Sequence, residues 1–390
     1  MRVAFIVESG TDVRLVEGLS ARCELTVVAR EIAGGREISQ ATDARFGLVV
    51  GPRSFLAFGW FVLRWMLRQR GQIDVAVLQG YGLAAVAGNI AARLTGASTV
   101  MLVCSPVEAY YDCRRADRGT RRYRWWESAA IRVMARINAA IGQRYIVLSP
   151  YLASVVRGHG TRHPVDVIPV YGVNTSAFAP AREPRRDIRR RLGLPLEAAL
   201  VLFSSRIAPE KDPDTLLTAI AILRNEGRDV QVLHLSGGYL DFVRRAGAQG
   251  LQSAVIARDA VPPFTQLVEW YQASDVCVQA SRAEGLGFSP LEALASGVPV
   301  VAADVGGLRD TIRAPDTGWS YPPGDVQALA RALREVLDHP GEGFRRAACG
   351  RELVRSRYER DHAFEQFMVT LEAHRGLRPL TEAPQRAPAG

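Results

Sequence analysis

Short apolar runs alternate with helix-length segments along most of the chain. In the first half, runs with the length of buried strands lie at residues 3–7, 25–28, 75–78, 99–103, 145–148 and 165–168. In the second half, they lie at residues 199–203, 230–235, 253–256, 276–279 and 298–302. Strands that alternate with helices predict parallel, doubly wound sheets. We therefore expect an α/β fold of two facing Rossmann-like domains with a ligand cleft between them.

The pattern also suggests where the domains divide. We expect the first domain at residues 1–175 and the second at residues 190–357. Between them, residues 183–195 (EPRRDIRRRLGLP) are highly charged and bounded by prolines, as is typical of a connection between domains. A last amphipathic helix is predicted from the helical spacing of Phe364, Phe367, Met368 and Leu371. The polar tail at residues 377–390 is expected to be flexible.

Composition narrows the class of protein. The chain has 390 residues, of which 48% are hydrophobic and 23% are charged, as expected of a soluble protein with two ordinary domains. Its five cysteines are scattered without a C-x-x-C pair, which indicates a reducing compartment and no zinc site. The start MRVAFIVESG predicts a strand rather than a signal peptide, and the apolar stretch at 55–67 is too short to span a bilayer. We therefore expect a cytoplasmic protein.

The stretch RAEGLGFSPLEALASGVPVVAADVGG, residues 282–307, predicts a strand, a loop, a helix and a strand. Ser289 and Glu292 have the spacing of a capping box around Pro290, and capping alone could account for Glu292. It does not account for Glu284, which lies in the loop at the carboxyl end of a strand, where open α/β sheets bind ligands. The amides of residues 285–288 and the amino end of the helix could bind phosphate, while a carboxylate binds hydroxyls. This combination suits a sugar diphosphate.

A second loop carries two cations. In FSSRIAPEKDPDTLLTAIAIL, Arg206 and Lys211 follow a strand and precede an apolar helix, so together they could clamp a diphosphate. Alternatively, the loop is solvated and Lys211 pairs with Glu210 or Asp212.

Other enzyme classes find less support. No G-x-G-x-x-G follows the first strand, which argues against a dinucleotide oxidoreductase. No G-x-S-x-G occurs, and the six histidines all lie at residue 159 or beyond, which argues against a serine hydrolase. Nucleic-acid binding is not favoured either, since no nucleic-acid fold motif accompanies the net charge of +9.

Over nearly its full length the chain resembles the family-4 retaining glycosyltransferases of the GT-B fold. The resemblance is carried, in this order, by VIPVYGVNTSAFAP (167–180), SSRIAPEKDPDTLLTAI (204–220), SGG (236–238), AEGLGFSPLEALASGVPVVAADVGGLRDTI (283–312) and TGWSYPPGD (317–325). It implies transfer of a sugar from a nucleotide-diphosphate donor without a metal or other cofactor. It also implies that the last helix, at about residues 358–376, returns to the N-terminal domain.

The resemblance assigns roles by position. Catalytic roles fall on Glu284, Arg206 and Lys211. Donor-binding roles fall on Glu292 for the ribose and on Gly285, Leu286, Gly287, Phe288, Ser289, Gly237 and Arg258. Acceptor-side roles fall on Gly10, Thr11, Tyr81 and Ser105. The chain departs from the family in having only Gly10 in the first loop, and Cys104 and Ser105 where a histidine is common.

The positive charge is concentrated in the first half, where residues 1–170 carry 22 arginines and 13 acidic residues. Residues 52–70 combine Arg53, Arg64 and Arg68 with aromatic residues, and residues 113–127 combine six arginines with a tryptophan pair. We expect these segments to bind the anionic inner face of the cell membrane, or a lipid-linked acceptor. Two alternatives stay open: a buried helix with a solvated arginine edge, and a non-catalytic protein that binds nucleotide sugars on the same scaffold.

Overall fold

A computed structural model describes residues 1–31, 46–116, 125–259 and 264–376 of the chain. The tail at 377–390 and part of the basic segment 113–127 therefore lie outside the described residues. Two sheets of parallel strands form the centre of the structure. The first sheet has the order β3-β2-β1-β4-β5-β6-β7, and the second has the order β10-β9-β8-β11-β12-β13.

Eleven of the thirteen strands in the described residues lie where the apolar runs predicted them, with small shifts, whereas β3 and β13 were not predicted. In the first sheet they are β1 (Arg2–Val7), β2 (Glu24–Arg30), β3 (Gly47–Gly51), β4 (Val75–Gln79), β5 (Ser98–Val103), β6 (Tyr145–Val147) and β7 (Val165–Val167). In the second they are β8 (Ala199–Phe203), β9 (Val230–Leu235), β10 (Val255–Arg258), β11 (Val276–Gln279), β12 (Val300–Ala303) and β13 (Trp319–Tyr321). The run at 253–256 was placed too early, because residues 252–254 form a 3-10 turn.

Helices alternate with most of the strands of each sheet. Those that accompany the first sheet are α1 (Val13–Ser20), α2 (Phe55–Arg68), α3 (Leu83–Thr95), α4 (Val107–Ala116), α5 (Trp125–Ile141) and α6 (Pro150–Gly158). Those that accompany the second are α7 (Arg185–Leu192), α8 (Pro213–Asn225), α9 (Tyr239–Ala248), α10 (Phe264–Ala273), α11 (Phe288–Ala295), α12 (Leu308–Thr311), α13 (Val326–Asp338) and α14 (Pro340–Arg357). The last helix is α15 (Arg360–Gly376). We call the first sheet with α1–α6 and α15 the N-terminal lobe, and the second sheet with α7–α14 the C-terminal lobe.

The charged segment at 183–195, which the sequence predicted as a connection between the domains, contains a helix. Residues 185–192 form α7, which buries Ile188 and Arg189 against the C-terminal lobe. Arg189 Nη2 lies 2.6 Å from Asp275 Oδ2, and its other nitrogens donate to the backbone carbonyls of Ala273 and Ala198. A buried arginine that is satisfied in this way anchors the helix rather than leaving it as a linker.

Helix α15 packs on the N-terminal lobe. Phe364, Phe367 and Leu371 are buried in the same hydrophobic cluster as the strands of the first sheet. The Nε2 atom of His374 lies 3.0 Å from the carbonyl oxygen of Thr99, at the start of β5. The apolar spacing of this helix in the sequence therefore marks its buried face.

None of the helices in the described part of the chain is long and apolar enough to cross a membrane.

Candidate active site

The two sheets face each other across a cleft of about 770 Å³. From the N-terminal lobe it is lined by Ser9, Gly10, Thr11, Asp12, Arg14, Gln79, Cys104, Ser105, Tyr110, Leu148 and Tyr171. From the C-terminal lobe it is lined by Ser205, Arg206, Lys211, Ser236, Gln279, Glu284, Leu286, Gly287, Phe288 and Ser289. Both sets include loops that follow the carboxyl ends of central strands, such as β1 and β8. Such loops form the ligand sites of open parallel sheets.

Glu284 is the most heavily contacted carboxylate in this cleft. Its Oε2 atom accepts hydrogen bonds from the Nζ of Lys211, from Gln279 Nε2 at 3.1 Å and from Ser281 Oγ at 3.2 Å. Its Oε1 atom accepts a hydrogen bond from the Tyr110 hydroxyl at 3.3 Å. These donors hold the carboxylate in one orientation, with a hydroxyl of the N-terminal lobe in contact with it.

Lys211 therefore does not pair with either of the two acids suggested for a solvated loop. Its partner is Glu284, and both side chains of this pair are largely buried. Asp212 instead accepts a hydrogen bond from Arg282 at 2.7 Å and caps helix α8. A buried cation in contact with the cleft carboxylate favours the ligand-site interpretation over the solvated loop.

Arg206 forms an ion pair with Glu210, the residue that precedes Lys211. Its Nη2 atom lies 2.6 Å from Glu210 Oε1. Burial alone would raise the pKa of Glu210, but hydrogen bonds from Arg114 and the charge of Arg206 outweigh it, so the pKa lies below its ordinary value. About half of the Arg206 side chain is exposed, and it lines the cleft. The guanidinium can therefore reach an anion there.

The loop at 284–288 differs from the predicted capping box. Helix α11 begins at Phe288, and its N-cap is Gly287, whose φ of 89° is a conformation that favours glycine. Ser289 thus lies inside the helix, and its hydroxyl contacts the hydroxyls of Ser204 and Tyr271 instead of capping. The capping-box interpretation of Ser289 and Glu292 is wrong. The amino end of α11 still lies beside the cleft, where its dipole favours anions.

Glu292 contacts the other lobe. Its Oε1 atom accepts a hydrogen bond from Arg14 Nη1 at 2.7 Å, and its Oε2 atom accepts one from the Tyr271 hydroxyl at 2.9 Å. Arg14 is also held by Asp12 through its other nitrogens. The carboxylate is therefore buried beneath a guanidinium that itself lines the cleft.

Not every predicted donor-side residue lines the cleft. Gly285 is a buried residue of the loop at 284–288, and its carbonyl oxygen accepts a hydrogen bond from the Ser149 hydroxyl of the N-terminal lobe at 2.6 Å. Gly237 is exposed beside Ser236, and Ser236 is the residue that lines the cleft. Arg258 lies over the ring of Trp270, with its guanidinium carbon 4.9 Å from the ring centroid.

On the acceptor side, Gly10, Thr11 and Ser105 line the cleft, together with Cys104. Burial raises the pKa of the Cys104 thiol to about 12, so that it is uncharged at neutral pH. Tyr81 is buried away from the cleft lining, with its ring edge-on to His159. No histidine is among the described residues that line this cleft.

Sequence reasoning missed several cleft residues. Asp12 had a detectable signal, because an aspartate before an apolar helix is an N-cap candidate, and it caps α1. Arg14 and Tyr110 had none, since their partners Glu292 and Glu284 lie 278 and 174 positions away. Such contacts follow only from the way in which the two lobes face each other.

The arginines of the two basic segments have different surroundings in the structure. Helix α2 buries Phe58, Val62 and Met66, but it exposes Leu56 and Trp60 beside the exposed residues Arg64 and Arg68. The buried-helix alternative therefore describes only one face of α2. In the segment 113–127, Arg114 turns inward to Glu210, with nitrogen–oxygen distances of 2.8 and 3.1 Å, so its expected place on a membrane surface is wrong. Residues 117–124 lie outside the described residues.

Comparison with known proteins assigns the chain to a family. The profile of the family "Glycosyl transferases group 1" matches residues 184–352. D-inositol 3-phosphate glycosyltransferase of Streptomyces coelicolor is 32% identical over 313 residues, which cover 74% of this chain and 67% of the relative. 2-deoxystreptamine glucosyltransferase of Streptomyces kanamyceticus is 32% identical over 309 residues, covering 76% of each protein.

Coverage is shorter for some relatives. The D-inositol 3-phosphate glycosyltransferase of Streptomyces scabiei is 38% identical over 179 residues, which are 43% of this chain and only 40% of that protein. For this relative the matched part spans about two fifths of its length.

Solved structures share the whole fold. Sucrose-phosphate synthase of Thermosynechococcus elongatus superposes with a TM-score of 0.77 at 21% identity, covering 96% of this chain and 98% of the other. Anabaena Alr3699/HepE in complex with UDP-glucose superposes with a TM-score of 0.76 at 18% identity, covering 96% of this chain and all of the other (100%). These structures show that the two facing lobes have a fold of the GT-B type. The two Streptomyces relatives, which are matched over two thirds or more of their length, show together with the family profile that the chain belongs to the group 1 glycosyl transferases.

Proposed function

We propose that this protein transfers a sugar from a nucleotide-diphosphate donor to an acceptor hydroxyl, with retention of the anomeric configuration. The observation that carries the proposal is the meeting of Arg206, Lys211, Glu284 and the amino end of α11 in one cleft between the lobes. Two cations and a helix dipole favour a diphosphate, and a fixed carboxylate beside them favours sugar hydroxyls. The C-terminal lobe would then hold the donor and the N-terminal lobe the acceptor.

In this proposal the donor is held along its length. Arg206 and Lys211 bind the diphosphate with the amides near Gly287 and Phe288, and Glu292 binds the ribose hydroxyls. Support for the ribose role comes from the burial of Glu292 next to the cleft and from its two partners, since each carboxylate oxygen can accept more than one hydrogen bond. A nucleotide sugar also agrees with the UDP-glucose that the Anabaena protein of similar fold contains.

The chemistry asked of these groups is electrostatic. When the bond between the sugar and the phosphate breaks, negative charge grows on the leaving diphosphate, and Arg206 and Lys211 would stabilise it without a metal. Positive charge grows on the sugar ring, which the Glu284 carboxylate would stabilise.

Retention is supported by the state of the carboxylates. Glu284 is engaged by Lys211, and Asp12, on the acceptor side, is engaged by Arg14. In the proposed reaction neither therefore takes the proton of the acceptor. The leaving phosphate removes this proton on the face from which it departs, so the new bond forms on that same face.

The proposal for the acceptor rests on the names of two relatives and on the polar groups that line the cleft. The Streptomyces relatives are named for inositol phosphate and 2-deoxystreptamine, which carry ring hydroxyls. Thr11, Ser105 and Gln79 offer polar groups on the acceptor side that suit a hydroxylated acceptor. A lipid-linked acceptor is the alternative that a membrane-facing surface favours.

One surface of the N-terminal lobe supports this alternative. Helices α2, α3 and α5 pack side by side, and we call their outer side the arginine-rich face. Its exposed apolar residues are Leu56, Trp60, Leu67, Ile90, Leu94, Trp126, Val133 and Ile137. Its exposed arginines are Arg64, Arg68, Arg93, Arg132 and Arg136. Apolar side chains among arginines fit an anionic lipid surface, so we propose that this face binds the inner side of the cell membrane peripherally.

The proposal is tested by turnover. The wild-type protein is incubated with a panel of nucleotide sugars and simple polyol acceptors, and the products are followed by proton NMR of the anomeric position. We expect consumption of at least one donor, with the anomeric configuration retained in the product. Inversion would contradict the retaining mechanism. If the wild type and Glu284→Gln show the same background with every donor, the chain is instead a non-catalytic binding protein on this scaffold.

A further inference from the structure

Glu210 is a buried carboxylate that none of the proposed steps uses. It lies in the 3-10 turn Pro209–Lys211, between the two proposed diphosphate ligands Arg206 and Lys211 in sequence. Its side chain is completely buried (0% exposed). A buried carboxylate is costly to the fold unless a cation stays with it.

Two arginines from different lobes share this carboxylate. Arg114 Nε lies 3.1 Å from Oε2, and Arg114 Nη2 lies 2.8 Å from Oε1. Arg206 Nη2 lies 2.6 Å from the same Oε1. Arg114 belongs to α4 of the N-terminal lobe and approaches with a two-pronged contact, whereas Arg206 uses a single nitrogen. Arg114 is thus the more firmly attached of the two.

Helix α4 carries this contact across the cleft. None of its side chains is fully buried, and it packs against α5 and the 209–211 turn. Tyr110, one turn before Arg114 on the same face, donates its hydroxyl proton to Glu284. One face of α4 therefore contacts both proposed catalytic loops of the other lobe.

We propose that Arg114 is a positioning residue that neutralises Glu210 and thereby allows Arg206 to turn to the donor diphosphate. The inference rests on the proposed function, and it adds a residue of the acceptor lobe to the diphosphate site. If Arg206 leaves Glu210 for the phosphate, Glu210 keeps Arg114 and remains paired. Without Arg114, the same movement would leave a buried charge alone, so Arg206 would stay on Glu210.

The test measures binding of UDP, GDP, UMP and GMP by titration calorimetry. Arg114→Met should weaken binding of the preferred nucleoside diphosphate by about tenfold or more, because Arg206 then binds Glu210 instead. In this inference Arg206 contacts the second phosphate, so binding of the corresponding monophosphate should change by less than about twofold. Adding Glu210→Gln to Arg114→Met should restore diphosphate binding, because the neutral amide no longer holds Arg206.

Two controls separate positioning from folding. Arg115→Met changes the neighbouring arginine on α4, whose side chain is half exposed, and should bind both nucleotides like the wild type. Arg114→Lys keeps the positive charge but not the two-pronged guanidinium contact, so it should lose less diphosphate binding than Arg114→Met. It also supplies a folded variant if Arg114→Met unfolds.

Three results would overturn the inference while leaving the proposed function intact. The first is diphosphate binding by Arg114→Met that equals that of the wild type. The second is an equal loss of mono- and diphosphate, which would indicate a structural role. The third is failure of Glu210→Gln to rescue. If the wild type binds neither UDP nor GDP but binds and turns over an adenine or thymine nucleotide sugar, the same comparison is made with the diphosphate and monophosphate of that nucleoside. If the wild type binds none of these nucleotides, both proposals are overturned.

Discussion

Arg14 Nη1 lies 2.7 Å from Glu292 Oε1, although the two residues belong to different lobes. The guanidinium is fixed from behind by Asp12, and it lies 5.7 Å from the ring centroid of Tyr171 and 5.8 Å from that of Phe288. The pair therefore ties the lobes together at the carboxylate that we assign to the ribose. Burial alone would lower the pKa of Arg14, but its carboxylate partners raise it above the ordinary value, so the charge is retained.

Replacing Arg14 by methionine should loosen the two lobes. Glu292 would keep its hydrogen bond from Tyr271 but lose its cation, which should lower the free energy of unfolding by about 1–3 kcal/mol. Small-angle X-ray scattering without nucleotide should give a larger radius of gyration than for the wild type. The matched control is Arg22→Met, on the same lobe, whose partner Asp361 also lies in the N-terminal lobe. An unchanged radius in Arg14→Met would contradict the tie.

The two glutamates eight positions apart should give different kinetic signatures. Glu284→Gln should lower kcat by about 100-fold or more while nucleoside diphosphate binding changes little, because the carboxylate acts on the sugar. Glu292→Gln should mainly raise the KM for the donor, because it acts on the ribose. Steady-state kinetics and calorimetry together check this split. Equal effects of both substitutions on nucleotide binding would argue against the assigned roles.

The stability of the fold should fall as the pH drops below about 6.5. Burial lowers the pKa of His234 and of His374 below 6.5, so the unfolded chain takes up protons there that the folded chain does not. The free energy of unfolding should decrease from about pH 6.5 down to the lowered values and then level off, by at most about 1.4 kcal/mol per pH unit for each histidine. Urea denaturation at several pH values measures the slope. His234→Gln with His374→Gln should flatten it, and an unchanged slope would refute the assignment.

Helix α15 should be necessary for the stability of the N-terminal lobe. Phe367→Ala removes a ring that is 0% exposed and should cost about 3–5 kcal/mol of unfolding free energy. Val369→Ala, on the exposed side of the same helix, serves as control and should change stability by less than about 0.5 kcal/mol. Chemical denaturation measures the stability of both variants. If Phe367→Ala is as stable as Val369→Ala, the packing of this helix contributes little.

The arginine-rich face should bind anionic vesicles. We expect co-sedimentation with vesicles that contain phosphatidylglycerol, weaker binding at high salt, and little binding to phosphatidylcholine alone. Leu56→Ser with Trp60→Ser should reduce binding. Leu240→Ser with Val243→Ser, two exposed apolar residues of the C-terminal lobe, should leave it unchanged. No sedimentation of the wild type at low salt would eliminate the membrane proposal.

Much of the fold could be read from the sequence because it depends on local pattern. Parallel strands such as β8 and β11 are buried on both faces, so they appear as continuous apolar runs. The sequence analysis missed β3 and β13, because only one of the five residues of β3 is buried and the short run of β13 is interrupted by the exposed Ser320. The sequence predicts a connection at α7 because six of its eight residues are charged, whereas the anchoring of this helix depends on Asp275 far along the chain.

The C-terminal side of the candidate site could be predicted, because two of its loops contain the charged residues themselves. Glu284, Arg206 and Lys211 follow strands of the same sheet, so their meeting in a cleft follows from topology. The sequence pattern predicts Ser289 as the N-cap of α11, whereas the N-cap is Gly287, which as a glycine can adopt the positive φ of this position. The contacts of Arg14, Tyr110 and Arg114 depend on how the lobes face each other, which no local pattern contains.

The central claim is that the cleft between the lobes holds a nucleotide sugar by its diphosphate. The most direct measurement is a calorimetric titration of the wild type, of Arg206→Met with Lys211→Met, and of the exposed control Arg244→Met, with UDP, GDP, ADP and dTDP. The account predicts that the wild type and Arg244→Met bind at least one of these with a Kd below about 1 mM, and that the double variant binds it about 100-fold more weakly. Equal binding by the double variant and the wild type, or no binding by any of the three proteins, would contradict it.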